Sequence, residues 1–281
     1  MTGSLAPGDL VVTAEFSDLL ARHGFRGFDD FMNFSGGTRI CHKRGRSVFR
    51  FEIEGRAFYL KRNRLHPVEV WKTLSRFRLP ALGALTEWEN ILALREAGIP
   101  TVHPVAMGER SRYGIETASF TLTEEIYHAE PLDTVLRREY AGPLSVADRR
   151  NKWTLIRNLA TLAEKFHGSG MNHQDFYLNH FFLGPDGTLY LLDLQRVGRR
   201  GRISRSRRIK DLAQLAYSSL RVGGLSHTDR MRFFLAYLGR KSLQQQDKLL
   251  AKRVAAKVGR IARHDAKLGV RRRRRGELPG D

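Results

Sequence analysis

The stretch from residue 147 to 195 restricts the fold most: a helix with one apolar face, a polar loop, then a short hairpin with acidic residues at both ends. Trp153, Ile156, Leu159, Ala163 and Phe166 recur at steps of three and four, which predicts a helix over Ala147 to His167 with one buried face. Gly168 and Gly170 stop it. Residues 171 to 180 read as a loop, and the apolar runs Phe181 to Leu183 and Leu189 to Leu192 flank Gly184-Pro185-Asp186-Gly187 as a β-hairpin. Asp175 and Asp193 stand at the mouth of that hairpin, where their carboxylates can converge. Phosphoryl transfer needs such a pair: one carboxylate orients the attacking hydroxyl and takes its proton, the other holds a divalent cation on phosphate oxygens.

The first half reads differently. Residues 1 to 60 alternate β-rich runs with turns, and Val48 to Ile53 and Ala57 to Lys61 flank Glu54-Gly55 as a tight hairpin. A basic segment, Arg62 to Leu85, is broken by Pro67 and Pro80, and Thr86 is the expected N-cap of a helix through Glu96, ended by Gly98 and Pro100. Extended runs follow at Val102 to Met107 and Ser119 to Thr123. Beyond Asp193 come eight Arg or Lys and no acid between Arg196 and Lys210, then helices near 209 to 222 and 228 to 266. This order predicts an α+β chain in two lobes with a cleft between them: residues 1–125, residues 126–270, and a basic tail at 271–281.

With 41% apolar side chains over 281 residues, the chain can bury a core, which excludes disorder for most of it. The 49 Lys and Arg against 29 Asp and Glu leave a formal charge of +20, so a polyanionic partner is expected. The single cysteine, Cys41, excludes an intramolecular disulfide, fits a reducing compartment and reads as a small residue near a strand. The opening residues show no export signal, and no apolar run approaches the ~18 residues of a membrane span. A soluble or peripheral protein is therefore expected.

The order His173-Gln174-Asp175-Phe176-Tyr177-Leu178-Asn179-His180-Phe181, followed by Leu192-Asp193-Leu194-Gln195-Arg196, resembles the eukaryotic-like kinase superfamily and, within it, the lipopolysaccharide core kinase (Kdo/WaaP) family. Further pieces carry the resemblance: Tyr59-Leu60-Lys61, Thr86-Glu87-Trp88-Glu89, Ala97-Gly98-Ile99-Pro100-Thr101 and Arg208-Ile209-Lys210-Asp211-Leu212-Ala213-Gln214-Leu215. It implies a bilobal protein-kinase-like fold, with a small antiparallel-sheet N-lobe holding one helix and a mainly helical C-lobe. It also implies ATP as donor, with magnesium, or alternatively manganese. Asp175 would be the catalytic carboxylate and Asp193 a metal ligand. His180 occupies the ligand slot usually held by Asn, either as a ligand or as a hydrogen-bond partner of Asp175 or Asp193; His173 would prop the loop. Lys61 would reach the nucleotide phosphates and pair with Glu87, with Glu89 as competitor. Gly36 and Gly37 would approach phosphates or form a plain turn, and the backbone at Glu125, in the linker, would hydrogen-bond adenine.

The basic run after Asp193 should border the acceptor side, with Arg205, Arg207 and Arg208 meeting phosphates and carboxylates of a lipopolysaccharide core glycan. Residues 240 to 275 carry 14 basic side chains against Asp247 and Asp265. That suits anionic lipid, at roughly 1 kcal/mol per charge, or a solvated helix face. The resemblance thus implies an ATP-dependent kinase of a heptose or Kdo hydroxyl of lipopolysaccharide core, cytoplasmic and peripheral to the inner membrane. The alternatives are a kinase of another small-molecule or protein hydroxyl, and a kinase-fold scaffold binding anionic membrane or nucleic acid. No RNA-recognition or helix-turn-helix fingerprint is present, so dedicated nucleic-acid binding is not expected. Gln174 in place of the Arg of many protein kinases, and the short basic segment after Asp193, disfavour control by loop phosphorylation.

Overall fold

The structure is a computed structural model that describes residues 10–43, 45–65, 83–113 and 115–274, with backbone alone at Lys43 and at 270–274. The prolines at 67 and 80 and the tail from 275 lie outside the described residues. The chain divides into two compact units, one running to Tyr127 and including Asp193–Gln195, the other made of residues 128–192 and 196 onward.

The first unit runs β1 (Leu10–Val12), α1 (Ala14–Arg22), α2 (Phe28–Asn33), β2 (Thr38–Lys43), β3 (Arg46–Ile53), β4 (Arg56–Arg64), α3 (Ala84–Glu96), β5 (His103–Arg112) and β6 (Ile115–Glu124). The strands form an antiparallel sheet in the order β1-β5-β6-β4-β3-β2. The hairpin between β3 and β4 turns at Glu54 and Gly55, both with positive φ (49° and 77°), the conformation a two-residue type I′ turn requires. Side chains alternate across β4. Phe58 and Leu60 are wholly buried in a core with Phe16 and Leu20 of α1 and Phe31 of α2, where Phe31 stacks on Phe120 at 4.3 Å between ring centroids. Lys61 projects from the opposite face, where α3 packs.

Two sequence expectations are corrected here. One helix was expected in this half, but α1 and α2 are helices as well: Phe16, Leu19 and Leu20, at i, i+3 and i+4, form a narrow apolar stripe on a segment of only nine residues. Helix α3 begins at Ala84, not after Thr86, because Gly83 takes a left-handed conformation (φ 86°) as N-cap.

The second unit runs β7 (Glu130–Pro131), α4 (Leu132–Tyr140), α5 (Val146–Gly168), β8 (Met171–Asn172), β9 (Phe181–Leu183), β10 (Leu189–Leu191), β11 (Gly198–Arg199), α6 (Arg205–Leu220), α7 (His227–Tyr237) and α8 (Gln245–Arg274). Helix α5 starts at a capping box in which Ser145 and Asp148 bond reciprocally. It buries Leu155, Ile156, Leu159, Ala163 and Phe166, whereas Trp153, expected on that face, is exposed beneath the Arg232 guanidinium. The segment expected as one helix over 228 to 266 is two, parted where the N–H groups of Gly239 and Arg240 close α7. Strands β9 and β10 form the expected hairpin, and β8 pairs with β11, so residues 173 to 197 leave and return through one paired frame.

Candidate active site

In the first unit, Lys61 on β4 donates to Glu87 Oε1 at 2.6 Å, and its Nζ lies 3.7 Å from Asp193 Oδ1. Glu87, one turn into α3, faces the sheet because Trp88, Ile91 and Leu94 fix the helix by their burial. Asn90, on the same side of α3, donates to the Leu194 carbonyl at 2.8 Å and so fastens the segment carrying Asp193. Glu87, rather than Glu89, is therefore the partner of Lys61. Glu87 Oε2 is buried without a hydrogen-bond partner among the described residues. An ammonium carries three donors, so the bond to Glu87 leaves Lys61 able to bind a phosphate oxygen.

In the second unit, Asp175 lies in the loop between β8 and β9, and Arg196 Nη1 donates to its Oδ2 at 2.6 Å. The loop is held from below by α6. Asp211, fully buried, accepts from the backbone N–H groups of His173 (2.8 Å) and Gln174 (3.3 Å). Gln214 accepts from Phe176 N–H at 3.1 Å and donates to the Gln174 carbonyl at 2.7 Å, and Ser218 Oγ accepts from Leu178 N–H at 3.0 Å. Positions i, i+3 and i+7 place these three side chains on one helix face. They hold Gln174 at φ 67°, a left-handed conformation costing about 1–2 kcal/mol in a residue with a Cβ. Asp193 also takes a left-handed conformation, at φ 58°. Lys210 adds a second cation beside Asp175: burial first, then the Arg196 guanidinium, hold its ammonium below the ordinary lysine range, while Asp175 and Asp211 oppose that shift.

His173 approaches the Leu192 carbonyl through Nε2 at 3.0 Å, the propping contact expected of it. The His180 ring lies 5.5 Å from the His173 ring, and the His180 carbonyl accepts from Leu192 N–H, one bond outside the β9–β10 ladder. Glu125 does not offer a backbone donor to adenine: its N–H is taken by the Ala57 carbonyl, and its carboxylate by Arg50 and Tyr59. Gly37 has a steric reason to be glycine, since a Cβ there would meet the Arg50 carbonyl oxygen at 2.3 Å; Gly36 abuts the Phe34 ring. Arg205 is exposed on the first turn of α6, but Arg207 donates to Asn172 and Arg208 to the Tyr237 hydroxyl at 2.6 Å, so both tie the second unit together instead of projecting to an acceptor. Asn90 escaped sequence reasoning, and Arg196, Lys210 and Gln214, which stand in the motif pieces, were given no individual role at the site. The available signal was a polar set, Asp211, Gln214 and Ser218, recurring at helical spacing among Leu212, Ala213, Leu215 and Ala216.

A lysine held by a buried glutamate beside an aspartate, and a second aspartate on a braced loop, can be set against known proteins. The lipopolysaccharide kinase (Kdo/WaaP) family matches residues 41–237. This chain belongs to the lipopolysaccharide kinase (Kdo/WaaP) family. It is 33% identical to the lipopolysaccharide core heptose(I) kinase WaaP of Escherichia coli K12, covering 80% of this chain and 87% of that one. To the protein of the same name from Pseudomonas aeruginosa it is 33% identical, over 83% and 87%. A solved structure, WaaP in complex with acyl carrier protein, superposes with a TM-score of 0.70 at 29% identity, covering 92% of this chain and 99% of that one. The Kdo/WaaP kinase thus has the bilobal kinase-like α+β fold.

Kinases use ATP and usually a divalent cation. At a nucleotide such a cation keeps one or two protein carboxylates and completes its shell with phosphate oxygens and water. Asp193, partly exposed beside Lys61, fits that sharing. Among the described residues no three His, Cys, Asp or Glu gather into a cluster that could hold a metal ion.

Proposed function

We propose that this kinase transfers the γ-phosphoryl group of ATP to a heptose hydroxyl of lipopolysaccharide core, the reaction that its curated relatives are named for. The observation that carries the reading is the Lys61–Glu87 bond with Asp193 beside it, a phosphate grip built from three separate stretches of the chain. Lys61 would bind phosphate oxygens of the nucleotide, with its direction set by Glu87. Asp193 would hold the divalent cation, magnesium on the chemistry of an all-oxygen site, which supplies charge neutralisation on the phosphates. Asp175 would accept the proton of the sugar hydroxyl as its oxygen bonds to the γ-phosphorus and the bond from that phosphorus to the bridging oxygen breaks, releasing ADP. Arg196 orients the Asp175 carboxylate, and Asp211 with Gln214 fixes the backbone that carries it. An imidazole is a soft ligand for magnesium, which favours a supporting role for the His180 side chain over ligation; its backbone carbonyl accepts from Leu192 N–H, next to Asp193.

The acceptor glycolipid is anionic, and the +20 charge supports peripheral contact with an anionic membrane face. Among the described residues no helix is long and apolar enough to cross a membrane. The solved neighbour holds acyl carrier protein, and a cavity of about 320 Å³ in the second unit, walled by side chains such as Leu136, Leu159, Leu215 and Phe234, has the apolar lining that an acyl chain requires. We extend that partner to this chain. Incubation with labelled ATP and core oligosaccharide lacking phosphate, with mass spectrometry of the product, tests the function: one phosphate on heptose is expected. Label on Kdo alone, on protein or on no glycan would overturn it.

A further inference from the structure

A second cavity of the second unit, about 500 Å³, opens beside the loop that carries Asp175. Tyr177 and Asn179 of that loop form one wall, Tyr217 and Arg221 at the end of α6 another, and Asp133 with Arg137 from α4 and Asp265 from α8 complete it. Its charge differs from that of the rest of the chain. Arg221 is paired with Asp265 at 3.0 Å and Arg137 with Asp133 at 2.8 Å, so the lining balances while the chain carries +20. An anion would gain little here, because each guanidinium already has its carboxylate.

The lining suits an uncharged polyol. Each sugar hydroxyl both donates and accepts, and the cavity offers both: carboxylates accept, guanidiniums donate, and the phenols and the Asn179 amide do either. Tyr217 Oη donates to Asp265 Oδ2 at 2.5 Å, which aims the carboxylate, and tyrosine rings present flat apolar faces to the C–H edges of a pyranose. The wall is also rigid with the loop of Asp175. Tyr177 N–H donates to the Asp175 carbonyl at 2.9 Å, and Gln214 Nε2 bridges the Gln174 carbonyl and the Tyr177 hydroxyl. Along the chain Tyr177 lies within about 7 Å and Asn179 within about 14 Å of Asp175. A sugar ring or two spans that distance.

We propose that this cavity is the acceptor subsite, binding an uncharged sugar ring of the core glycan through Tyr217, Asp265 and Asn179 and presenting its hydroxyl to Asp175. The proposal rests on the kinase reading above and adds which part of the acceptor is read and by which residues. The charged groups of the glycolipid are then held elsewhere, by side chains such as the exposed Arg205.

Initial rates with core oligosaccharide and ATP test it in three variants: Tyr217→Phe, Asp265→Asn and Asn179→Ala. Each should raise the KM for the oligosaccharide about tenfold, the worth of one or two hydrogen bonds to hydroxyls, and move the KM for ATP less than about twofold. Asn179 is exposed, so Asn179→Ala tests the idea even if a change at Asp265 disturbs the α6–α8 contact. Wild-type oligosaccharide KM values in Tyr217→Phe and Asn179→Ala, with transfer otherwise normal, would sink the subsite and leave the kinase reading standing. A wild-type protein that phosphorylates no core glycan would remove both.

Discussion

Replacing Asp211 by Asn tests the bracing of the Asp175 loop within the second unit. Asp211 is fully buried and accepts two backbone N–H groups, from His173 at 2.8 Å and Gln174 at 3.3 Å, with His167 Nε2 at 3.4 Å. An amide keeps one acceptor and turns an NH2 group toward the other N–H. The charge-assisted bond lost is worth about 1.5–3 kcal/mol, and a buried donor left facing a donor adds about 1–3 kcal/mol. A loss of about 3–5 kcal/mol in the second unit follows, lowering Tm by roughly 6–20 °C for a domain of this size. The same change frees Gln174 from its left-handed conformation and displaces Asp175, and misplacement by about 1 Å costs roughly a hundredfold in kcat. Lys61, Glu87 and Asp193 belong to the other unit, so the KM for ATP should stay within about twofold. Urea and thermal melts with steady-state kinetics read these outcomes. An Asp211→Asn protein with wild-type kcat and Tm would refute the bracing argument, and so would a rise in ATP KM with kcat intact.

Lys61→Met should abolish productive ATP use and destabilise the first unit by about 2–4 kcal/mol, because Glu87, almost fully buried, loses its counter-ion; Lys61→Met with Glu87→Gln should regain most of that stability and none of the activity in paired melts and assays. Arg196→Ala removes a largely exposed ion pair from Asp175 and should lower kcat by on the order of fivefold or less, read from acceptor-saturated rates. Burial pushes the Tyr237 phenol up from 10.0 to about 12, although Arg208 pulls it down. Because the folded value is the higher one, the stability contributed is complete below pH 10 and lost as pH rises through about 12, so urea midpoints should fall across that window in wild type and less in Tyr237→Phe.

What the sequence made legible follows the range of the interaction concerned. The β3–β4 hairpin was readable because Glu54-Gly55 states its own turn, and α5 because five apolar residues, Trp153 to Phe166, repeat over about four turns of helix. Helices α1 and α2 were missed because nine and six residues are too short for periodicity to stand out, and their helicity comes from packing on the sheet. Lys61, Glu87 and Asp193 were singled out through resemblance to a family pattern, and the structure brings them together. Asn90, Arg196 and Gln214 bond to backbone or carboxylate groups between 21 and 104 residues away, for which no local pattern exists. Long-range partners likewise decide Glu125, whose backbone N–H is taken by the Ala57 carbonyl, and Arg208, whose guanidinium is taken by Tyr237.

The most direct measurement is phosphate transfer by Asp175→Asn alongside wild type, with ATP affinity measured on the same samples by calorimetry. The account predicts labelled heptose from wild type, none above background from Asp175→Asn, and equal nucleotide binding by the two. Transfer by Asp175→Asn at the wild-type rate would contradict it.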